Sequence, residues 1–321
     1  MLASMNPFQH IDTPENLTQV LALAHAESMP VCTSGSLATY IPALSSANPN
    51  ALGLALCTDE GQIFQTGQAD CRFSMQSISK VFALAYVMAE LGEEAVFSRV
   101  GKEPTGDPFN SIIRLETSAR RKPFNPFINA GAIVISDLMP GTTPADKAAG
   151  FQRFVGSLVG RTDVEQDDSV YVSEKASAAR NRAIAWFLKE LGLISGEVED
   201  TLDTYFRQCA TLVDALDLAR AGACLALDGV HPLSGKRALP ENCAHTVKSL
   251  MVTCGLYDGS GEFAVSVGIP AKSGVGGGIM AAVRDRMGIG VYGPALDGHG
   301  NSAAGLWALG ILSRQLDLRV L

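Results

Sequence analysis

The stretch Phe73-Ser74-Met75-Gln76-Ser77-Ile78-Ser79-Lys80 marks the point where the pattern of the chain becomes helical. From Ser77 to about Leu91 the spacing of apolar residues predicts a helix. Residues three apart lie on one helix face, so Ser77 and Lys80 can meet if the helix begins at Ser77. A serine at that position lies where free N–H groups and the helix dipole favour negative charge.

Ser77 and Lys80 are therefore a candidate pair for nucleophilic chemistry. A serine hydroxyl is a weak nucleophile until a base removes its proton. A neutral Lys80, its pKa lowered by burial, can be that base or share the proton with a partner. A motif this short also arises by chance, and the alternative is a helix cap at Ser77 followed by an exposed lysine.

A second candidate element is Pro270-Ala271-Lys272-Ser273-Gly274-Val275-Gly276-Gly277-Gly278, where a strand is expected beside a cleft. Its Lys-Ser-Gly resembles the Lys-Thr-Gly that accompanies S-x-x-K in serine β-lactamases and penicillin-binding proteins. A main-chain N–H in this glycine-rich segment, with that of Ser77, can form a two-donor oxyanion hole. The alternatives are a glycine-rich turn or a phosphate loop, but the glycines fit neither phosphate-binding pattern.

Other patterns predict strands near both ends of the chain and helices between them. We expect a helix over residues 14–27, a hairpin with strands over 51–57 and 62–66, helices over 177–191, 213–227 and after 240, strands over 262–267, 279–283 and 287–292, and a closing helix over 301–316. The fold class is therefore α+β: an antiparallel sheet built from both ends and flanked by terminal helices, beside a central helical subdomain. Within one domain over residues 1–321, the sheet subdomain covers about 14–76 and 249–321, and the helical one about 77–248. A cleft between the two is the expected site.

The composition excludes several classes of protein. Of the 321 residues, 47% are hydrophobic and 18% are charged, which is the opposite of the balance in disordered chains. A net charge of −8 argues against a nucleic-acid partner, which needs clustered lysine and arginine. No apolar run approaches the roughly 18 residues of a membrane span. We therefore expect no nucleic-acid partner and no membrane partner.

The N-terminus and the cysteines indicate a cytoplasmic protein. No lysine or arginine precedes Arg72, so we expect neither a secretory signal nor a transit peptide. The seven cysteines are an odd number without a CxxC pair, which is typical of reduced, buried thiols. The histidines are scattered, and Cys243 with His245 lacks two further ligands at metal spacing, so we expect no metal and no cofactor.

Four further segments make the resemblance specific. They are Tyr40-Ile41-Pro42, Gly101-Lys102-Glu103-Pro104-Thr105-Gly106, Asn125-Pro126-Phe127-Ile128-Asn129-Ala130-Gly131-Ala132 and Cys254-Gly255-Leu256-Tyr257-Asp258. Together with residues 77–80 and 272–278, and in the same order, they resemble the serine-dependent glutaminase family in its compact microbial form. The resemblance covers about residues 34–312. It implies a β-lactamase-like fold and hydrolysis of L-glutamine to L-glutamate and ammonia through a serine acyl-enzyme.

The resemblance also implies roles for individual residues. Ser77 is the expected nucleophile, Lys80 its activating neighbour and Tyr257 a second proton-handling group, while the N–H groups of Ser77 and Val275 form the oxyanion hole. The expected substrate-binding residues are Tyr40, Gln76, Ser77, Asn129, Glu174, Asn181, Tyr205, Tyr257 and Val275. A zwitterionic amino acid needs a carboxylate for its ammonium, and amide and phenol donors for its carboxylate. Glu174 and Asn181 are seven apart, so they share a face if one helix contains both.

Two further expectations follow from the resemblance. Residues 106–113, with Pro108 and Phe109, are similar to the family's mobile loop near the cleft and are expected to gate access. Members of the family generally self-associate, so we expect a homodimer or homotetramer.

Two rival functions stay open at the level of sequence. One is another serine hydrolase of the β-lactamase-like fold, and the other is a non-catalytic glutamine-binding protein. Neither Ser-Asp-Asn nor Tyr-x-Asn occurs between Ser77 and Lys272, which counts against a β-lactamase. The order in which Lys80 and Tyr257 handle the serine proton also stays open, because the two would titrate as a coupled pair.

Overall fold

Seven strands form two antiparallel sheets in the computed structural model, which describes residues 11–106, 108, 110–117 and 121–320. The strands are β1 (Gly53–Thr58), β2 (Ile63–Gly67), β3 (Phe73–Ser74), β4 (Leu212–Val213), β5 (Ala271–Ser273), β6 (Gly278–Val283) and β7 (Met287–Tyr292). The larger sheet has the order β2-β1-β7-β6-β5, and β3 pairs with β4. Because β1 pairs with β7 along its whole length, both ends of the chain build the sheet, as the sequence predicts.

The helices lie at both ends of the chain and in the long segment between β3 and β5. They are α1 (Pro14–Ser28), α2 (Ser79–Leu91), α3 (Glu93–Phe97), α4 (Ile113–Thr117), α5 (Asn129–Leu138), α6 (Pro144–Val159), α7 (Asp168–Ala176), α8 (Ala179–Glu190), α9 (Val198–Cys209), α10 (Ala215–Ala226), α11 (Glu241–Cys254), α12 (Ser260–Ser266) and α13 (Ala303–Gln315). Short 3₁₀ segments cover Met29–Ser34, Pro42–Ser46, Gln76–Ile78 and Tyr257–Gly259. The α+β class predicted from the sequence is confirmed.

Helix α2 lies at the centre of the helical part and contacts α5, α6 and α9. Its residues 79–88 are all buried, so a helix that begins beside the sheet is covered on every side. A helix that is apolar all round is typical of a buried element. This position makes any polar group on α2 an interior group. The subdomain boundaries near residues 77 and 248 stay a prediction.

Alternate residues of β7 face two different cores. Ile289 and Val291 pack with the buried side chains of α1 and α13. Gly290 instead lies under α10, where an added Cβ would be 1.8 Å from the carbonyl oxygen of Ala215. Only a residue without a side chain allows so close an approach, and α10 therefore lies directly on the sheet.

One predicted strand is wrong, because residues 262–267 form part of α12 and the turn that follows it. The alternation of Phe263, Val265 and Val267 favours a strand with all three on one face. In the structure Phe263 and Val267, four residues apart, are buried, whereas Val265 is 80% exposed. Residues four apart lie on one face of a helix, so the helix explains why Phe263 and Val267 are buried while Val265 is exposed.

Two predicted helices begin later than expected. The stretch from Ser77 starts with a 3₁₀ turn, and the α-helix begins at Ser79. The second helix was expected to begin at Val213, but Val213 belongs to β4 and α10 begins at Ala215. Asp214 caps α10, because its side chain accepts a hydrogen bond from the Asp217 N–H. The terminal helices, the hairpin, β6, β7 and the strand at Lys272 are confirmed.

Replacing Gly290 by alanine tests the contact between α10 and the sheet. The added methyl would overlap the Ala215 carbonyl, so α10 must move away from β7. We expect Gly290→Ala to lower the free energy of unfolding by about 1–3 kcal/mol, the usual cost of overpacking a core. Urea unfolding followed by circular dichroism measures this change.

The matched control is Gly261→Ala on α12, where an added Cβ has no heavy atom within 4 Å. This variant should keep the wild-type stability or gain slightly, because alanine favours a helix over glycine. Equal losses from both substitutions would contradict the close-approach explanation.

Candidate active site

A cavity of about 220 Å³ lies where the helical part meets the edge of the sheet. It is lined by Tyr40, Ile41, Gln76, Ser77, Asn110, Asn129, Glu174, Ser177, Ala178, Arg180, Asn181, Tyr205 and Val275. All the expected substrate-binding residues except Tyr257 are among them. A larger groove of about 840 Å³ beside α11 contains none of the expected site residues. The chemistry predicted from the sequence therefore belongs to the smaller cavity.

Ser77 lies in the 3₁₀ turn that leads into α2. The turn is sharp, since Gln76 has a positive φ of 49°, and the Ser79 hydroxyl donates to the Gln76 carbonyl at 2.7 Å. Ser77 is 8% exposed and lines the cavity. This turn presents the serine at the N-terminal end of the helix, where negative charge is favoured.

Lys80 is almost completely buried, with 1% of its surface exposed. Its Nζ donates to the Phe127 carbonyl at 3.1 Å and to Asn129 Oδ1 at 2.7 Å. Burial lowers the pKa of Lys80 to about 8, although the nearby Glu174 carboxylate opposes the shift. With this pKa, about one tenth of the amine is neutral at pH 7 and about half at pH 8, which makes it a suitable base.

The glycine-rich segment after β5 runs directly against the Ser77 turn. An added Cβ on Gly274 would be 2.4 Å from the Met75 carbonyl oxygen, and one on Gly276 would be 2.3 Å from that of Ser74. These glycines bring Val275 beside Ser77, and both residues line the cavity. Neither the Ser77 N–H nor the Val275 N–H has an acceptor among the described residues. Two such donors suit an oxyanion hole.

Tyr257 begins the 3₁₀ turn over Tyr257–Gly259 with a positive φ of 54°. Burial raises the pKa of its phenol to about 12, and the nearby Ser77 and Ser273 hydroxyls oppose that rise. Lys272 Nζ lies 4.5 Å from the centre of the Tyr257 ring and donates to the Ser273 carbonyl at 2.6 Å. Tyr257 lines a neighbouring cavity of about 130 Å³ and not the cavity of about 220 Å³ that Ser77 lines.

Asn129 links Lys80 to the other polar residues of the cavity. Asn129 is the first residue of α5, and its Oδ1 accepts from Lys80 and, at 3.4 Å, from the Tyr205 hydroxyl. Its Nδ2 donates to Asn181 Oδ1 at 3.0 Å. Burial raises the pKa of Tyr205 well above its usual value, so the phenol stays protonated.

Glu174 is the buried anionic group of the cavity. It is 7% exposed, and its Oε2 has no hydrogen-bond partner among the described residues. Burial raises its pKa to about 7, while a hydrogen bond from Gln76 and the charge of Lys80 lower it. A buried carboxylate with one unpaired oxygen suits a cationic ligand group. Tyr40, by contrast, is 58% exposed and lies at the rim.

Glu174 and Asn181 do not share a helix. Glu174 is on α7 and Asn181 on α8, and the two helices are joined by Ser177 and Ala178, which also line the cavity. The side chains meet because the chain turns between the helices, not because seven residues make two helical turns.

Five further residues line the cavity: Ile41, Asn110, Ser177, Ala178 and Arg180. Ile41 and Asn110 lie within segments that the sequence analysis identified, although neither was assigned to the site individually. No signal in the sequence pointed to Ser177, Ala178 and Arg180, because only the turn between α7 and α8 brings them to the cavity. Phe109, expected in the loop over residues 106–113, lies outside the described residues.

The described part of the chain contains no group of three or more His, Cys, Asp or Glu side chains placed to hold a metal ion. Among the same residues, no helix is long and apolar enough to cross a membrane.

Comparison with known proteins places these features in a family. A family model described as Glutaminase matches residues 35–321. Glutaminase 2 of Clostridium perfringens is 50% identical over 286 residues, which cover 89% of this chain and 94% of that protein. A glutaminase of Clostridium botulinum is 49% identical over 288 residues, covering 90% and 94% respectively.

Solved structures give the same result for the fold. A probable glutaminase of Bacillus subtilis has a TM-score of 0.90 at 39% identity, with 95% of this chain and 98% of that chain covered. A Bacillus subtilis glutaminase in covalent complex with 5-oxo-L-norleucine, formed by reaction with 6-diazo-5-oxo-L-norleucine, has a TM-score of 0.88 at 37% identity. The match covers 95% of this chain and 100% of that one.

The sheet, the helical part and the serine turn between them thus define a protein of the β-lactamase-like fold. Within that class, the chain belongs to the glutaminase family.

The buried carboxylate of Glu174 predicts a pH-dependent cost to stability. Its pKa is about 7 in the folded protein and about 4.3 in an unfolded chain, so folding is penalised increasingly as the pH rises between these values. We expect Glu174→Gln to leave stability nearly unchanged at pH 4.5. At pH 8 the variant should be more stable than wild type by up to roughly 4 kcal/mol, since one pKa unit corresponds to about 1.4 kcal/mol.

Urea unfolding at the two pH values measures the difference. The matched control is Glu190→Gln, at the exposed C-terminal end of α8. A difference between Glu174→Gln and wild type that does not change with pH would contradict the buried-carboxylate interpretation.

Proposed function

We propose that this chain hydrolyses the side-chain amide of L-glutamine to L-glutamate and ammonia, with Ser77 as the nucleophile. The observation that supports this most directly is the arrangement around one cavity. The Ser77 hydroxyl, the backbone of Val275 and the Glu174 carboxylate, whose Oε2 has no hydrogen-bond partner among the described residues, all line it. Its volume of about 220 Å³ is below the roughly 300–1,000 Å³ of drug-sized sites, which favours a small substrate.

The polar residues suit a free amino acid. The Glu174 carboxylate would bind the substrate ammonium and so regain a partner for its buried charge. Amide groups of Asn129 and Asn181 and the phenols of Tyr40 and Tyr205 would bind the substrate carboxylate. Gln76, which hydrogen bonds to Glu174, would hold that carboxylate in place.

In the first half of the reaction, Ser77 Oγ attacks the side-chain carbonyl carbon of glutamine. Lys80 takes the serine proton, because its pKa of about 8 leaves a neutral fraction, whereas Tyr257 with a pKa of about 12 is a phenol at neutral pH. The negative charge that forms on the carbonyl oxygen is stabilised by the N–H groups of Ser77 and Val275. Lys80 then gives the proton to the leaving nitrogen, the carbon–nitrogen bond breaks and ammonia departs.

In the second half, water hydrolyses the acyl-enzyme. Lys80 again accepts a proton, now from the attacking water, and returns it to Ser77 Oγ as glutamate leaves. The hydroxyl of Tyr257 contributes by hydrogen bonding to Ser77 through both halves.

Residues 106–113 are proposed to gate the cavity. Asn110 lines it, and Gly106 lines the neighbouring cavity against Tyr257. A loop that contacts both cavities can exclude water when substrate is bound.

Cytoplasmic location and self-association into a dimer or tetramer are also proposed. All seven cysteines are unpaired thiols, as expected in a reducing compartment. Both tryptophans are exposed, Trp186 at 59% and Trp307 at 55%, and large exposed aromatic residues are typical of contact surfaces between subunits.

Labelling with 6-diazo-5-oxo-L-norleucine tests the nucleophile. This diazoketone analogue of glutamine forms a covalent complex with the Bacillus subtilis glutaminase. We expect one 5-oxo-norleucyl group per chain, attached to Ser77, and parallel loss of ammonia release from glutamine. Intact-protein mass spectrometry and peptide mapping measure the adduct.

Ser77→Ala should be neither labelled nor active. The matched control is Ser249→Ala on α11, an exposed serine in the groove beside that helix, which should be labelled and active like wild type. Labelling of Ser77→Ala at wild-type stoichiometry, or equal ammonia release by Ser77→Ala and wild type, would overturn the proposal.

A further inference from the structure

Helix α7, which brings Glu174 to the cavity, has little apolar surface to hold it in place. Of its nine residues, Val170 and Glu174 are buried. The Glu174 carboxylate is costly to bury, because its Oε2 has no hydrogen-bond partner among the described residues and a charged group is more stable in water. The helix therefore needs a further attachment that keeps Glu174 in the cavity.

Four polar side chains, Tyr171, Lys175, Asp203 and Arg207, attach α7 to α9, and we call them the α7–α9 network. At its centre is Asp203 of α9, which is 8% exposed. Its Oδ1 accepts hydrogen bonds from the Tyr171 hydroxyl and from Lys175 Nζ, both on α7. Its Oδ2 accepts from Arg207 Nε of its own helix at 2.7 Å. One carboxylate thus joins two side chains of α7 to α9.

The other members of the network contact one another. Lys175 Nζ donates to the Tyr171 hydroxyl at 3.0 Å, and Arg207 Nη2 donates to the same oxygen at 3.4 Å. The Arg207 guanidinium also lies 4.7 Å from the centre of the Tyr171 ring. Hydrogen bonds to an ionised group are stronger than bonds between neutral groups, so the charge of Asp203 is the main source of this attachment.

The network lies beside two residues of the cavity. On α7, Glu174 directly precedes Lys175, and on α9, Asp203 and Arg207 lie two residues to either side of Tyr205. Glu174 and Tyr205 line the cavity, whereas the four network residues are not among those that line it. The network therefore sets the distance between the helix of the buried carboxylate and the helix of the buried phenol.

We propose that Asp203 is a positioning residue for substrate binding: through Tyr171 and Lys175 it holds α7 against α9 and so keeps the Glu174 carboxylate where the substrate ammonium binds. The inference rests on the proposed function, in which Glu174 binds that ammonium, and adds a residue that acts through Glu174. The chemistry at Ser77 is not affected, because Ser77 belongs to the turn before α2.

The test compares KM and kcat for glutamine in wild type and Asp203→Asn. Asparagine has nearly the same size, but it lacks the charge, and its Nδ2 cannot accept a hydrogen bond. We expect KM to rise roughly 10-fold, the scale of one weakened hydrogen bond to a charged group, and kcat to stay within about twofold. A change in KM alone indicates loss of binding that is equal in the ground state and the transition state.

The same substitution in a Glu174→Gln background tests whether Asp203 acts through Glu174. Glu174→Gln alone should lower kcat/KM, because the carboxylate partner of the ammonium is lost. Adding Asp203→Asn should then change kcat/KM by less than about twofold, since no carboxylate remains to be misplaced. Such non-additivity is expected of residues that act as a unit.

The matched control is Glu199→Gln, a second carboxylate of α9 that pairs with an arginine. Glu199 Oε1 lies 3.0 Å from Arg182 Nε, but the Glu199 side chain is 55% exposed, and exposed pairs contribute little. Its KM and kcat should stay within about twofold of wild type. Partial unfolding does not imitate the expected result, because a smaller folded fraction lowers the apparent kcat and leaves KM unchanged.

The contradicting results are distinct. If Asp203→Asn keeps the wild-type KM, or lowers kcat/KM by the same factor with and without the Glu174 carboxylate, the positioning role is overturned and the proposed function stands. An equal rise of KM in Glu199→Gln overturns it as well, since any charge on α9 would then have the same effect. If Glu174→Gln alone keeps the wild-type kcat/KM, both this inference and the proposed role of Glu174 are overturned.

Discussion

Burial of the Lys80 amine is the constraint on which the rest of the site depends. A fully charged ammonium in the interior is costly unless it is paired or loses its proton. Its Nζ donates to the Phe127 carbonyl and to Asn129 Oδ1, and burial lowers the pKa of the amine to about 8. In the proposed mechanism, the neutral form of this amine accepts the Ser77 proton. The fold therefore supplies a base at neutral pH by completely surrounding α2.

The second constraint is the close approach between the sheet edge and the Ser77 turn. Residues 274 and 276 are glycines because carbonyl groups of the turn occupy the space of a side chain. This contact brings an N–H group from the C-terminal half of the chain beside the serine of the N-terminal half. Ser273, at the end of the strand that precedes these glycines, donates to Asn301 Oδ1, which anchors the segment to the residues before α13.

The sequence predicted local features well. The pair Ser77 and Lys80, the strand at Lys272 and the terminal helices follow from spacing and from the chemistry of the residues, and the family resemblance added Tyr257, Glu174 and Asn181. Features that depend on packing between distant segments were not predictable. The strand expected over 262–267 is helical because burial of Phe263 and Val267 outweighs the alternation that the sequence displays.

The central claim is that Lys80 is neutral enough near neutral pH to accept the serine proton. It is tested most directly by an NMR titration of protein labelled with ¹³C at the lysine ε carbons, with the Lys80 resonance assigned by its absence in Lys80→Met. We predict a pKa of about 8 for Lys80. A pKa near 10.4, the value of an exposed lysine, would show that the amine is an ammonium throughout the working range and would contradict the account.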